Sequence, residues 1–393
     1  MFTIMQAFKN LFVLDLSQGI AGPVCGGILA RQGARVVKVE PLGGDWIRAT
    51  GGSREGMCAN AIAGNLNKEG IAIDATKPAG RDALLRLAAQ ADVVIENFRA
   101  GVMTRLGLGY EAVRARNPRV VYCSITGFGP SGPLSKKPAT DSVLQAYSGM
   151  AVANTMAGGI PKRIGIYVPD NISAIYAAQA ISAALFERSS SALGQHVQIS
   201  LAECCAAFQS GPMIDTFLFP DPASRTVIFA PAGEFRTADG WIVVSCMSAA
   251  MFASIARTVD REAWLADPRF IENDARKQHF KEINAALAEA LTHDTTANWV
   301  KKLEAADVLV SPINDYLALR DDEQAQHSGY LTTVDQAPYG ALQVPHLPAA
   351  GRNVRPAPRL GEHTRAVLRE ARFDETEIDA LIAQGIALQR PGG

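Results

Sequence analysis

The chain has 393 residues with 38 Lys and Arg against 39 Asp and Glu, a formal net charge of −1 that argues against nucleic acid as its main partner. Hydrophobic residues make up 48% and charged residues 20%, the balance of a soluble globular enzyme of roughly two to three domains. No apolar run approaches the roughly 20 residues of a membrane span, and Met1 to Asn10 lacks the apolar stretch of a secretory signal, so the expected compartment is the cytoplasm.

Strand and helix signals alternate from the start. Phe12 to Leu16 is a short apolar run, followed by a Gly-rich turn and a helix expected through Cys25 to Gln32. Arg35 to Glu40 reads as a second, buried strand. Ile71 to Asp74 precedes an amphipathic helix over Gly80 to Gln90, with Leu84, Leu87 and Ala88 on one face. Asp92 to Glu96 and Arg119 to Ile125 are further strands, the latter after a helix over Tyr110 to Arg116, and His196 to Ser200 leads into a helix from Leu201. Such alternation predicts a Rossmann-like α/β domain, a mostly parallel sheet covered on both faces. Ligands of these sheets bind beyond the carboxyl ends of strands, which points to the loops after Leu16, Glu40, Asn97 and Ile125.

Composition changes further along. Phe217 to Gly233 is Pro-rich and reads as a linker, and Glu234 to Val244 reads as a hairpin turning at Ala238-Asp239-Gly240. Helical segments follow through Leu303, then an extended Pro- and Gly-rich stretch from Asp335 to Leu360 and a terminal helix over Glu362 to Glu370. The expected organisation is a large domain begun by residues 1–220, a smaller α+β domain over 221–330, and a segment 331–393 returning to the large domain. None of the six cysteines forms a Cys-x-x-Cys pair, which makes them core thiols. The six histidines show no i, i+4 pairing, so no metal site is expected.

The loops carry the chemistry. Ser17-Gln18-Gly19-Ile20-Ala21-Gly22-Pro23 follows the first strand but lacks the Gly-x-Gly-x-x-Gly spacing of dinucleotide enzymes. Asn97-Phe98-Arg99-Ala100-Gly101, with Arg105 beyond it, follows another strand and brings two cations. Gly127 to Pro133 is a flexible loop that allows close backbone approach. Together they suit a phosphorylated, elongated ligand. Asp170 ends the apolar run Ile164 to Pro169 and precedes residues with helical spacing, Ile172, Ile175, Tyr176 and Gln179. An Asp at a strand-to-helix junction is a favoured N-cap, and it is equally a carboxylate held ionised by the positive helix end; position alone favours the cap.

An ordered series of short motifs settles the comparison. Ala21-Gly22-Pro23, Gly33-Ala34-Arg35-Val36-Val37-Lys38-Val39-Glu40-Pro41, Gly44-Asp45, Asn65-Leu66-Asn67-Lys68, Ile73-Asp74, Glu96-Asn97-Phe98-Arg99, Arg105-Leu106-Gly107, Gln145-Ala146, Ser148-Gly149, Asp170, Arg236 to Gly240 and Leu360-Gly361-Glu362-His363-Thr364 run through almost the whole chain. In this series the chain resembles the class III coenzyme A transferases (CaiB/BaiF type), the family of formyl-CoA transferase and the carnitine CoA-transferases. The resemblance implies Asp170 as the catalytic nucleophile, with coenzyme A or acyl-CoA as substrate, a small carboxylic acid as co-substrate and no tightly bound cofactor. It places coenzyme A near Ile20, Ala21, Pro41, Ile73, Thr76, Asn97, Phe98, Arg99, Arg105 and Lys137, and it implies an interlocked homodimer. The chain departs from the pattern where Pro41 replaces a basic residue found in some relatives and where Thr76 replaces a lysine. The long glycine lid of formyl-CoA transferase is not visible.

The same fold includes α-methylacyl-CoA racemases, which place a His before an Asp where this chain has Thr140-Asp141. Without that His the proton carrier best suited to neutral pH is missing, which favours transfer over racemisation. A non-catalytic CoA-binding protein is a third reading, and retention of Asp170 speaks against it. Asp141 stays a second acidic group near the site. Lys162 and Arg163, just upstream of Asp170, suit a dicarboxylate such as succinate.

Overall fold

The computed structural model describes residues 6–154, 159–220 and 228–390. A seven-stranded sheet gathers the apolar runs: β1 (Phe12–Asp15), β2 (Arg35–Glu40), β3 (Glu69–Ile73), β4 (Val93–Glu96), β5 (Val121–Thr126), β6 (His196–Ser200) and β7 (Ala387–Leu388). Their order is β7-β3-β2-β1-β4-β5-β6, every neighbouring pair parallel except β7 against β3. Successive residues of a strand face opposite sides, so a sheet covered twice needs apolar residues at both parities. Leu14, Val37 and Val94 enter one core while their neighbours Val13, Val36 and Val93 enter the other.

Helix α1 (Ala21–Arg31) leaves β1, and α2 (Pro78–Ala88) follows β3. Then come α3 (Asp141–Tyr147), α4 (Val168–Ser191) and α5 (Leu201–Phe208). Leu84 and Leu87 of α2 pack on the first face, whereas Cys25 of α1, Leu144 of α3, Ile181 of α4 and Cys205 of α5 share the second. The chain starts at β1 in mid-sheet, builds outward to β3, and crosses back to β4. That reversal places a topological switch point between β1 and β4, where ligand crevices form. All six cysteines are free and buried, and burial raises the thiols of Cys25, Cys123 and Cys246.

Two compact units divide the chain, one from residues 1–213 with 329–393, the other from 214–328. In the second, Ala232–Arg236 and Trp241–Ser245 form the hairpin anticipated from Asp239-Gly240, extended by Leu309–Pro312 around a core with Phe235, Ile242, Leu287 and Trp299. Of the Pro-rich linker, residues 221–227 lie outside the described residues, and a helix already covers Ser210–Leu218. No described helix is long and apolar enough to cross a membrane.

Three local expectations need correction. Ile164 to Tyr167 is no strand, and Asp170 is no cap. The helix starts at Val168, Tyr167 holds the cap position without a side-chain bond, and Asp170 lies in the first turn. Pro169 explains the shift, because its missing N–H and fixed φ suit a first helical turn. Overlapping the start of the stretch expected to be extended, Leu331–Gln336 and Gly340–Pro345 form a hairpin, held by Val334 and Val344 against Met57 and Leu66. A second terminal helix, Glu375–Ala383, starts at a capping box between Asp374 and Glu377, a signal present in the sequence.

Candidate active site

A cavity of about 750 Å³ opens at the carboxyl ends of the strands. Gln18, Ile20 and Ala21 after β1, Trp46, Ile47 and Thr50 after β2, Asn97 to Arg99 after β4, Gly127 after β5 and Leu201 after β6 all line it. Each of the four loops chosen by the strand-end rule contributes. The opposite wall is Ala139 to Ser142 with Gln145, and Arg163 to Tyr167 with Asp170.

The loop after β1 is pinned from several sides. The Gln18 backbone N–H donates to Asn97 Oδ1 at 2.7 Å, and Asn97 Nδ2 donates back to the Gln18 carbonyl at 2.6 Å. This exchange ties β1 to β4 across the switch point. Gly19, at φ +77°, donates to both Asp45 oxygens at 3.0 Å, and a Cβ there would stand 2.6 Å from the Trp46 ring. Beneath it Lys68 meets Asp15 at 2.6 Å, and Lys38 meets Asp45 at 3.2 Å while donating to the Ser17 carbonyl. Arg48 clasps Glu40 with bonds of 2.6 and 2.7 Å.

Across the cavity, two carboxylates meet without such partners. The Asp170 backbone N–H reaches Asp141 Oδ2 at 3.3 Å. Asp170 is pushed up to about 7, first by burial and then by the charge of Asp141. Asp141, 6% exposed, is itself raised by burial, against the pull of a Gln145 bond, the Asp170 N–H and the charge of Arg163. Gln145 Nε2 donates to Asp141 Oδ1 at 2.7 Å and to the carbonyls of Ile164 and Ile166, and its Oε1 accepts the Ile164 N–H at 2.8 Å.

Chemically, this is a desolvated carboxylate in the first turn of a long helix, facing a cavity with Arg99 and Arg163 on its walls. Among the described residues no group of three His, Cys, Asp or Glu stands ready to hold a metal. The family model for CoA-transferase family III matches residues 8–364. The chain belongs to CoA-transferase family III. It is 30% identical over 398 residues to the human succinyl-CoA:glutarate CoA-transferase, covering 98% of this chain and 91% of that protein. A succinate--glutarate CoA-transferase of Agrobacterium fabrum is 32% identical, with 92% and 95% covered. Among solved structures, a CaiB/BaiF family protein from Brucella suis matches with a TM-score of 0.84 at 29% identity, over 92% of this chain and 98% of that one. The protein is therefore a transferase enzyme with CoA thioesters as substrates.

Against the family expectation, Ile20, Ala21, Asn97, Phe98 and Arg99 come together with Asp170 on one cavity. Pro41, Ile73, Thr76, Arg105 and Lys137 do not line it. Ile73 is 2% exposed within a core, and Thr76 Oγ1 turns to Asp74. Pro41 and Arg105 are exposed, and Lys137 lies 5.9 Å from the Phe128 ring centre. Gln145 entered the sequence reading only within the motif series and without a role, and Trp46 was not singled out. Trp46 lies in the loop after β2, where the strand-end rule points, but the Gln145 contacts with Ile164 and Ile166 span 19 and 21 residues and leave no periodic mark.

Proposed function

We propose that this family III enzyme moves coenzyme A from an acyl-CoA donor to a carboxylic acid acceptor through covalent intermediates on Asp170. One observation carries the reading: Asp170 faces the cavity as a desolvated carboxylate raised to about 7, in the first turn of a 24-residue helix. Burial sharpens its nucleophilicity and excludes the water that would hydrolyse an anhydride, while the helix end keeps part of it ionised.

In this mechanism the Asp170 carboxylate adds to the thioester carbonyl and expels CoA thiolate, leaving a mixed aspartyl-acyl anhydride. The thiolate then attacks the aspartyl carbonyl, releases the donor acid and leaves an aspartyl-CoA thioester. The acceptor carboxylate repeats the two steps in reverse. Coenzyme A enters as substrate, and the chemistry calls for no other resident group. Ile20, Ala21 and Asn97 to Arg99 serve its reactive end. Of the remaining expected contacts, the exposed Pro41, Thr76, Arg105 and Lys137 are proposed for its nucleotide end, with Arg105 and Lys137 as phosphate partners, whereas Ile73 is closed off in the core.

A dicarboxylate acceptor fits best. Arg163 and Arg99 offer exposed guanidinium groups on the cavity walls, and the relatives named above act on succinyl-CoA, succinate or glutarate. Racemisation fits less well, because Thr140 precedes Asp141 and no histidine is among the described residues that line the cavity. We also propose a cytoplasmic, interlocked homodimer; Ile175, Phe186 and Phe208 stand exposed on the large unit, apolar surface that a second copy would bury.

The test is to incubate the purified enzyme with succinyl-CoA and glutarate, follow glutaryl-CoA, and read the mass of the Asp170 peptide after rapid quenching. A CoA adduct on that peptide, lost in Asp170→Asn, supports the reading. Exchange of the α-proton in a 2-methylacyl-CoA without CoA movement would replace it with racemisation. Failure to bind any acyl-CoA would favour a non-catalytic role.

A further inference from the structure

Residues Ile164 to Tyr167 form the wall beside Asp170, yet they belong to no helix or strand. Their backbone must find partners elsewhere. Among the described residues, Ile164 is tied to another element through the carboxamide of Gln145, which also donates to the Ile166 carbonyl beside the bond that carbonyl takes from the Val168 N–H at the start of α4. With Ile164 the carboxamide exchanges bonds in both directions, as a strand neighbour would. The side chain is 1% exposed and rooted one helical turn from Asp141, to which it gives its shortest bond, 2.7 Å. Asp141 in turn accepts the Asp170 N–H.

We propose that Gln145 is a positioning residue of the transfer reaction: its carboxamide fixes both the wall over the nucleophile and the carboxylate of Asp141 beneath it. The inference rests on the reading of Asp170 as nucleophile. The geometry demands an amide at this place. Only a carboxamide has both an acceptor for the Ile164 N–H and two donor hydrogens for the Asp141 carboxylate and the carbonyls of the wall. A carboxylate would leave those oxygens facing a third anion, and an apolar side chain of equal length would take this donor from the buried Asp141 carboxylate and from the Ile164 carbonyl.

The arrangement also couples Gln145 to the charge state of Asp170. Among the described residues, the ionisable groups around Asp170 include Asp141 on α3, Arg163 and Tyr167 on the wall, Arg99 on the loop after β4, and the Cys205 thiol on α5, which is raised to about 11 and stays neutral. Among them Asp141 is the one that burial already brings toward protonation. The Gln145 donor opposes this and keeps negative charge beside Asp170. Without the donor Asp141 takes a proton more readily, its repulsion fades, and Asp170 ionises at lower pH. A carboxylate at position 145 adds repulsion and does the opposite.

The test compares wild type, Gln145→Met and Gln145→Glu, two replacements close in size that differ in polarity. Both should lose at least about tenfold in kcat with succinyl-CoA, the scale of a misplaced reacting group. The acid limb of the kcat/KM profile should move to lower pH in Gln145→Met and to higher pH in Gln145→Glu. Thermal unfolding and coenzyme A affinity are measured on each to separate folding from positioning. The CoA adduct on the Asp170 peptide is read in wild type first. If wild type forms none, the nucleophile reading falls. If wild type forms it and both variants keep the wild-type kcat and the same acid limb, Asp170 stands and the role of Gln145 is overturned. A variant that folds, loses activity and keeps its limb unmoved shows a purely structural side chain and also overturns it.

Discussion

Two groups of desolvated carboxylates lie in the large unit, and their environments are opposite. Under the loop after β1, burial alone would raise Asp15, but Lys68 and then Lys38 outweigh it and hold the carboxyl below its usual range. Burial likewise works against Glu40, and the Arg48 guanidinium wins. On the far wall, among the described residues, no ion pair holds either acid, and Arg163 acts on Asp141 through its charge alone. Burial prevails there, and both Asp141 and Asp170 are raised. A buried carboxylate with its cation is scaffold, fixed in charge, whereas one buried beside a second carboxylate keeps an unsatisfied charge that chemistry can use.

The largest expected effect comes from removing the charge on the reactive side. Asp170→Asn should cut CoA transfer by at least about 10³-fold, since the amide cannot act as the nucleophile. It should also stabilise the fold. With the folded value near 7 against 3.8 for the free group, wild-type stability is highest below 3.8 and declines as pH rises through about 7. The variant lacks that decline, so chemical denaturation should show a gain of up to about 4 kcal/mol at pH 8 that vanishes near pH 4. No gain at pH 8 would mean that Asp170 is not strained by its burial.

On the scaffold side the sign reverses. Lys68→Met leaves Asp15 buried without its closest cation and should cost about 3–5 kcal/mol, read as a fall in the urea midpoint. A loss under about 1 kcal/mol would erase the distinction between the two groups. Smallest is Arg163→Ala. An exposed cation acting on the distal end of an acceptor should raise KM for glutarate about three- to tenfold while leaving a monocarboxylate nearly unchanged. Equal changes for both acids would remove Arg163 from acceptor recognition.

Much of this was legible along the chain. Strands buried on both faces announced themselves as runs such as Arg35 to Glu40, and the strand-end rule named four loops that all reach the cavity. Asp170 was found through the motif series, while its local pattern suggested a cap. That pattern misled because Ile164 to Ile166 is apolar for another reason. It forms a wall bonded to a distant carboxamide, and Pro169 opens the helix before Asp170 rather than ending a strand. The helix Glu375–Ala383 was missed although its capping box was present, because the expectation stopped at the first terminal helix.

Periodicity, composition and motif order determined the doubly covered parallel sheet and the family, because these depend on which residues are apolar and how they are spaced. Tertiary structure decided the state of each charge. Asp15 and Asp170 are the same residue type, and only the fold brings Lys68 to one and Asp141 to the other. It also chose Gln145, across 19 and 21 residues, to hold the wall beside Asp170. Proximity of groups far apart in the chain sets desolvation and pairing, and no local pattern records it.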